Sequence, residues 1–219
     1  MKLQEVILKT KYLDKLAGFY RDVMELPVDE LGERIIIKAG HSLLIFESTT
    51  GDENPFYHFA FNIPSNKLDE AFEWTKERVN IIWLEDYKSY IADFKSWNAK
   101  SFYFLDPAGN ILELIARLDQ KDFTDEKFST EQIRNVSEIG IVFSPPSFKA
   151  DVEHLSAKYC LNYFSKQPPL DHFKAIGDDE GLFVMVPQSR NWFSTNMPAG
   201  LFPISVKFID QDKNHQLII

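Results

Sequence analysis

The residue of this chain that most strongly suggests chemistry is Glu113, because it lies in an apolar run between Leu112 and Leu114. The run follows a turn sequence at 106–110, Asp-Pro-Ala-Gly-Asn, and another apolar run precedes that turn. Such turn residues between two apolar runs predict a β-hairpin. A buried carboxylate is costly unless its charge is compensated. A metal ion would compensate it, provided that other ligands converge on the same place.

The elements that must position such ligands recur along the chain as strand, helix and further strands. The first module is predicted as a strand at 3–10, a helix at 12–24, a short strand near 27–28 and strands at 34–38 and 42–48. The second has a strand at 57–63, a helix opening at 64–66 and strands at 81–84, 101–105 and 110–115. The third has a strand at 136–143, a helix at 149–160 and strands at 163–164, 173–176 and 181–186. Residues 201–209 would begin a fourth module that the chain does not complete.

This repeat predicts an α+β fold in which βαβββ modules form curved antiparallel or mixed sheets around a cavity. Residues 1–117 are expected to form a complete two-module domain and 118–133 a polar linker. Residues 134–219 would contain the third module and the incomplete fourth. An odd module count favours a homodimer that pairs an open sheet edge.

Four side chains hold corresponding positions in the first two modules. Glu5 and His58 lie on the first strands, and Glu47 and Glu113 lie on the last strands. A pseudo-two-fold axis relating the two modules would bring all four toward that axis.

The βαβββ repeat and the hairpin that carries Glu113 resemble the vicinal oxygen chelate superfamily. This superfamily includes glyoxalases, extradiol dioxygenases, fosfomycin-resistance enzymes, epimerases and bleomycin-binding proteins. The sequence Phe-Tyr-Arg-Asp-Val-Met-Glu-Leu-Pro-Val at 19–28 is similar to the helix end of that family. The resemblance covers 1–117 well and extends more loosely to 134–187 and to the segment 190–193.

The resemblance implies that Glu5, Glu47, His58 and Glu113 are the ligands of one divalent metal ion. One imidazole and three carboxylates would suit Mn²⁺, Mg²⁺ or Fe²⁺, with Ni²⁺, Co²⁺ or Zn²⁺ as alternatives. Glu47 or Glu113 would shuttle a proton as a catalytic group if one of them detaches from the metal. Glu5 stands where the dioxygenases have a second His, which argues against iron-dependent ring cleavage.

The third module is expected to contain no metal site. Glu138 matches the position of Glu5, but counting four residues from Gly181, as Gly109 leads to Glu113, reaches Met185. This half would pack against the first, cover the cavity or mediate a dimer. The loop at 85–100 is unusually aromatic, which predicts that it covers a pocket. The single cysteine, Cys160, is expected to be an inert core residue.

The net charge of −9 over 219 residues argues against nucleic-acid binding, which needs a basic surface. No apolar run approaches the length of a membrane helix, and the N-terminus has no signal-peptide pattern, so a cytoplasmic protein without membrane association is expected. The leading hypothesis is a glyoxalase-like lyase or isomerase that chelates the vicinal oxygens of a small molecule on its metal. The alternatives are a non-catalytic drug-binding protein favouring cations, an extradiol-dioxygenase-like oxidoreductase, and a structural or regulatory protein.

Overall fold

The chain folds into repeated strand–helix–strand modules. The computed structural model describes residues 1–51, 53–193 and 195–219. The strands of the first module are β1 (Lys2–Thr10), β2 (Val28–Leu31), β3 (Arg34–Ala39) and β4 (Ser42–Ser48). Those of the second are β5 (His58–Ile63), β6 (Ala92–Phe94), β7 (Ala99–Leu105) and β8 (Ile111–Arg117). The third module has β9 (Asn135–Phe143), β10 (Lys174–Asp178) and β11 (Gly181–Pro187), and the fourth has β12 (Ile204–Asp210) and β13 (Lys213–Ile218).

One helix follows the opening strand of each of the first three modules. They are α1 (Leu13–Gly18), which continues as a π-helical turn at Phe19–Val23, α2 (Leu68–Lys76) and α3 (Phe148–Tyr159). In α2, Leu68, Ala71 and Thr75 are buried at helical spacing. Single 3₁₀ turns lie at Lys95–Trp97, Leu118–Gln120 and Thr130–Gln132.

The strands form two mixed sheets, and each sheet joins two modules. The first sheet has the order β13-β12-β1-β4-β3-β2, so the first module pairs with the fourth. The second has the order β10-β11-β9-β5-β8-β7-β6, so the second module pairs with the third. The opening strands meet antiparallel at both seams, β1 with β12 and β5 with β9. Residues 1–117, expected as a complete two-module domain, and residues 134–219, expected as a third and an incomplete fourth module, therefore both contribute strands to each sheet, and the division of the chain into these parts stays a prediction.

Side-chain alternation gives the second sheet two apolar faces. Phe59, Leu112 and Ile139 belong to the main core, which contains residues of both sheets. The opposite face carries Ala60, Ile111 and Val184, which pack in a second cluster with aromatic residues from the connecting segments. This second face contains the candidate site.

Three details differ from the predicted elements. The predicted strand at 81–84 makes only isolated bridges, and β6 lies within the predicted loop. The fourth module gains β13, which pairs with β12 across a turn where Gln211 and Asp212 have φ of 48° and 60°. Two positive φ values are typical of a hairpin turn, but neither residue is the Gly or Asn that would reveal one in a sequence.

Cys160 is exposed and does not lie in the core, contrary to expectation. It ends α3 in a left-handed conformation, with φ of 55°, which turns the chain out of the helix. The α+β class itself is confirmed. In the described residues, no helix combines the length and the apolar character needed to cross a membrane.

Candidate metal site

Three potential ligands converge on the second face of the second sheet. His58 opens β5, Glu113 lies in β8 and Glu138 lies in β9. Ala60 of β5 pairs with Glu113 on one side and with Glu138 on the other, which puts the two carboxylates on either side of one methyl group. All three side chains are buried, and one potential ligand atom from each lies within 4.8 Å of the others.

The hydrogen bonding of His58 fixes which ring nitrogen carries the proton. Its Nδ1 lies 3.2 Å from the carbonyl oxygen of Ile111, which can only accept, so Nδ1 is the donor. Its Nε2 then presents a lone pair, 3.6 Å from Oε2 of Glu113. Burial lowers the pKa of His58 to about 4, so the imidazole is neutral near pH 7. A neutral imidazole held by its second nitrogen is the form that binds metals.

Glu113 is a strongly perturbed carboxyl group. Burial, followed by repulsion from Glu138, raises its pKa to about 8. Tyr103 faces it from β7 in the register of the hairpin, and its own pKa is raised by burial and by the Glu113 charge. Without a cation nearby, Glu113 would therefore hold a proton at neutral pH.

Glu138 is held by a buried arginine. Nη2 of Arg117 donates to Oε1 of Glu138, while Nε donates to Asn62 at 3.1 Å and Nη1 to Asp179 at 3.4 Å. The guanidinium also lies over the ring of Trp97, 5.6 Å from its centroid. Burial raises the pKa of Glu138, and Arg117 opposes that shift. Because Arg117 is shared with Asp179, it does not balance both buried glutamates.

The cluster opens into a cavity of about 220 Å³. Six of its fourteen lining residues are aromatic, and they include Phe94 and Trp97 of the loop at 85–100, as predicted. Trp192 also lines the cavity, and its indole Nε1 is buried without a hydrogen-bond partner among the described residues. Gly140 makes room for this ring, because a Cβ there would lie 2.4 Å from Cη2 of Trp192.

The strand register defines a fourth position equivalent to the three ligands. Phe59 of β5 pairs with Ile139 of the antiparallel strand β9, so a local two-fold axis relates the two strands. This axis relates His58 to Glu138 and Ala60 to Gly140. Ala60 pairs with Glu113 of β8, and Gly140 pairs with Val184 of β11. The counterpart of Glu113 is therefore Val184 and not Met185, which packs in the main core. Three positions offer ligands, and the fourth is apolar and lines the cavity.

The structure brings His58 and Glu113 together, but not with Glu5 and Glu47. Glu5 forms an ion pair with Lys207 at 2.8 Å, and Glu47 forms one with Lys9 at 2.7 Å, both on the first sheet. The reason is the module pairing, because the first module meets the fourth and not the second. Glu138 is not among the ligands predicted from the sequence, although it shares the feature that marks Glu113: a carboxylate within an apolar strand.

No protein-family model matches the chain, and no curated protein matches it. A putative dioxygenase from Bacillus subtilis has a similar structure, with a TM-score of 0.59 and 13% identity over 91% of this chain and 65% of that protein. A lactoylglutathione lyase from Agrobacterium tumefaciens is 23% identical over 51% of this chain and 90% of its own, with a TM-score of 0.42. A glyoxalase/bleomycin resistance protein/dioxygenase from Nocardioides is 16% identical over 57% and 89%, with a TM-score of 0.42. At 13% identity, the likeness to the putative dioxygenase shows a shared fold, as the predicted resemblance implies.

Proposed function

We propose that this protein is a glyoxalase-like metalloenzyme, of the lyase or isomerase type, that chelates vicinal oxygens of a small substrate. One divalent cation would be held by His58, Glu113 and Glu138. The observation that carries the proposal is the approach of Nε2 of His58 to Oε2 of Glu113 at 3.6 Å. Both atoms are acceptors when Glu113 is ionised, and a second carboxylate lies beside them, so the arrangement calls for a cation at their centre.

The donor set fits a catalytic metal better than a structural one. One imidazole nitrogen and two carboxylates suit Mn²⁺, Fe²⁺, Co²⁺, Ni²⁺, Zn²⁺ or Mg²⁺. Catalytic sites keep a coordination position open, and here the fourth equivalent position, Val184, leaves the cavity side without a protein ligand. A bound cation would supply Lewis acidity toward the oxygens of the substrate.

The protein side chains would divide the remaining tasks among themselves. Glu113 would accept and return a proton after detaching from the cation, because it is buried at the cavity beside His58. Glu47 lies on the other sheet in an ion pair with Lys9, so the proposal assigns the proton transfer to Glu113 alone. The indole N–H of Trp192 is a free donor for a substrate oxygen. The aromatic walls would exclude water from the reacting atoms.

Metal content is the direct test. We expect about one equivalent of a divalent metal in the protein purified without chelators, measured by elemental analysis, and its loss in His58→Ala and Glu113→Gln. Glu47→Gln is the matched control and should keep the metal. Anomalous scattering from crystals would locate the ion. A wild-type protein without stoichiometric metal, or a His58→Ala variant with unchanged content, would refute the proposal.

A non-catalytic binding protein is the second candidate, and one observation favours it. Arg117 already compensates Glu138, so a single proton on Glu113 would leave the cluster without excess charge and without a metal. Ligand-dependent shifts in melting temperature that are unchanged by EDTA would support this candidate.

The cluster has one His and two carboxylates, which differs from the two-His pattern that the family resemblance implies for dioxygenases.

A further inference from the structure

Arg190 is a cavity residue whose charge has no ion-pair partner in the part of the chain that the structure describes. It lines the same cavity as the glutamate cluster and is partly buried. Its guanidinium lies over the ring of Phe173, 5.5 Å from the centroid, and Nη1 donates to the carbonyl of Asn191 at 3.2 Å. Among the described residues, no carboxylate forms an ion pair with it, and its pKa is lowered by burial alone. Most of its N–H donors thus remain available in a partly desolvated position.

The contrast with the other buried arginine is informative. Arg117 is fully buried, and its donors reach Asn62, Glu138 and Asp179. A partly buried arginine with a stacked face and unused donors is instead typical of a site that binds an anion from outside the chain. The unpartnered indole N–H of Trp192, in the same cavity, is a second observation that points to a ligand with acceptor atoms.

The volume of the cavity and its aromatic side chains indicate the size and shape of that ligand. A cavity of about 150 Å³ can hold benzene, so the 220 Å³ here would admit one ring with small substituents. Side chains of Phe94, Trp97, Phe173 and Phe193 line it, and such faces pack well against a planar ring.

Charge balance limits the anionic group. Arg190 is the only arginine or lysine lining the cavity in the described residues. One guanidinium balances a monoanion, whereas a phosphate dianion would leave a charge unbalanced close to two glutamates. A carboxylate also matches the paired donors of a guanidinium.

We propose that Arg190 forms a carboxylate-binding subsite, so that the ligand of this cavity is a small aromatic or planar unsaturated carboxylic acid. The carboxylate would pair with Arg190, and the ring would lie between the aromatic walls. The far end, facing His58, Glu113 and Glu138, would carry the vicinal oxygens; this last point rests on the proposed function, whereas the carboxylate subsite does not. The net charge of −9 favours a cationic ligand, whereas Arg190 in the cavity favours an anionic one.

The test compares benzoate with its neutral isostere, benzamide. Binding would be followed by calorimetry and by the fluorescence of Trp97 and Trp192, with the protein as purified and again after EDTA. We expect benzoate to bind about ten- to a hundredfold more tightly than benzamide in both states. Arg190→Gln should remove this preference, and Arg190→Lys should retain part of it, because lysine keeps the charge but loses the paired donors.

Arg78→Gln is the matched control, since Arg78 also lies over an aromatic ring, Trp74, at 3.9 Å, but does not line the cavity. It should keep the preference for benzoate. Equal binding of benzoate and benzamide by the wild type, or an unchanged preference in a folded Arg190→Gln variant, would overturn the inference. Tighter binding of phenyl phosphate than of benzoate would overturn the choice of a carboxylate.

The two proposals fail separately. If the purified protein contains no metal but the Arg190-dependent preference for benzoate survives EDTA, the metal site is refuted and the carboxylate subsite is supported. If metal is present at one equivalent and Arg190→Gln changes nothing, the opposite conclusion follows.

Discussion

In both sheets two modules join through antiparallel pairing of their opening strands. The carboxylates of the two sheets nevertheless lie in different environments. On the first sheet, Glu5 and Glu47 each face one lysine, and the four side chains are 29–45% exposed. On the second sheet, the side chains of Glu113 and Glu138 are only 3% exposed, and Arg117 forms an ion pair with one of them. Pairing of opening strands is therefore not sufficient to bury carboxylates close to one another. Burial and an excess of carboxylates over cations distinguish the second sheet from the first.

The largest expected effect is a loss of stability when the buried guanidinium of Arg117 is removed. Arg117→Met should lower the free energy of unfolding by about 3–5 kcal/mol, because Glu138 would be left buried without its partner. Urea denaturation would measure it. The double variant Arg117→Met/Glu138→Leu should recover most of the loss, since it removes both charges. A loss below about 1 kcal/mol in the single variant would mean that this ion pair behaves like those of the first sheet.

The second expected effect is a pH dependence of metal affinity. Glu113 must lose its proton to bind a metal, and its pKa is raised to about 8, so metal binding below pH 8 displaces a proton. Affinity should fall below pH 8 with a slope that approaches tenfold per pH unit, which amounts to about fiftyfold between pH 8 and 6. His58, with a pKa of about 4, adds no proton in that range.

Metal titration at pH 6, 7 and 8 would measure this slope. Glu47→Gln should leave it unchanged, which would confirm that the first sheet does not take part. A flat profile in the wild type would show that Glu113 is already ionised in the metal-free protein, or that it is not a ligand.

The third prediction concerns the fourth ligand position. Val184→His should raise metal affinity about tenfold, because a new imidazole would reach the cluster from the position equivalent to Glu113. Met185→His should instead destabilise the fold by about 2–5 kcal/mol, since it replaces a core side chain with a polar one. Metal titration would measure the affinity of each variant, and thermal melting would measure its stability. The reverse result would mean that counting from the turn, and not the strand register, gives the correct alignment.

The smallest expected change in stability comes from removing the two lysines that pair with Glu5 and Glu47 on the first sheet. Lys9→Met and Lys207→Met should each change the free energy of unfolding by less than about 1 kcal/mol, because their ion pairs are half-exposed and screened. Equilibrium denaturation at low and high salt would measure the change. A loss comparable to that of Arg117→Met would remove the distinction between the sheets.

Much of the fold could be predicted from the sequence, because hydrophobic periodicity marks strands and helices locally. The repeat, the hairpin before Glu113 and the aromatic loop were all visible in this way. The partners of the modules were not, because nothing local distinguishes pairing of the first module with the second from pairing with the fourth. That one choice decides the ligand set: it separates Glu5 and Glu47 from His58, and it brings in Glu138.

Position 184 illustrates a finer limit. Gly181 and Gly109 each precede the last strand of a predicted module, and counting from them selects Met185. A strand shifted by one residue presents its other face, and the observed register selects Val184 instead. Alignment between modules therefore requires the pairing of β11 with β9.

The seam between β5 and β9 has a consequence for assembly of the chain. His58 and Glu113 come from one module and Glu138 from the next, with the 3₁₀ turn at Leu118–Gln120 and the polar segment after it in between. A cation bound to all three would connect two stretches of one chain that are far apart in sequence and meet only when β9 pairs with β5. In a chain cut within 121–127, the paired strands of both sheets should still hold the two parts together, and a chelator should weaken that association by removing the ion.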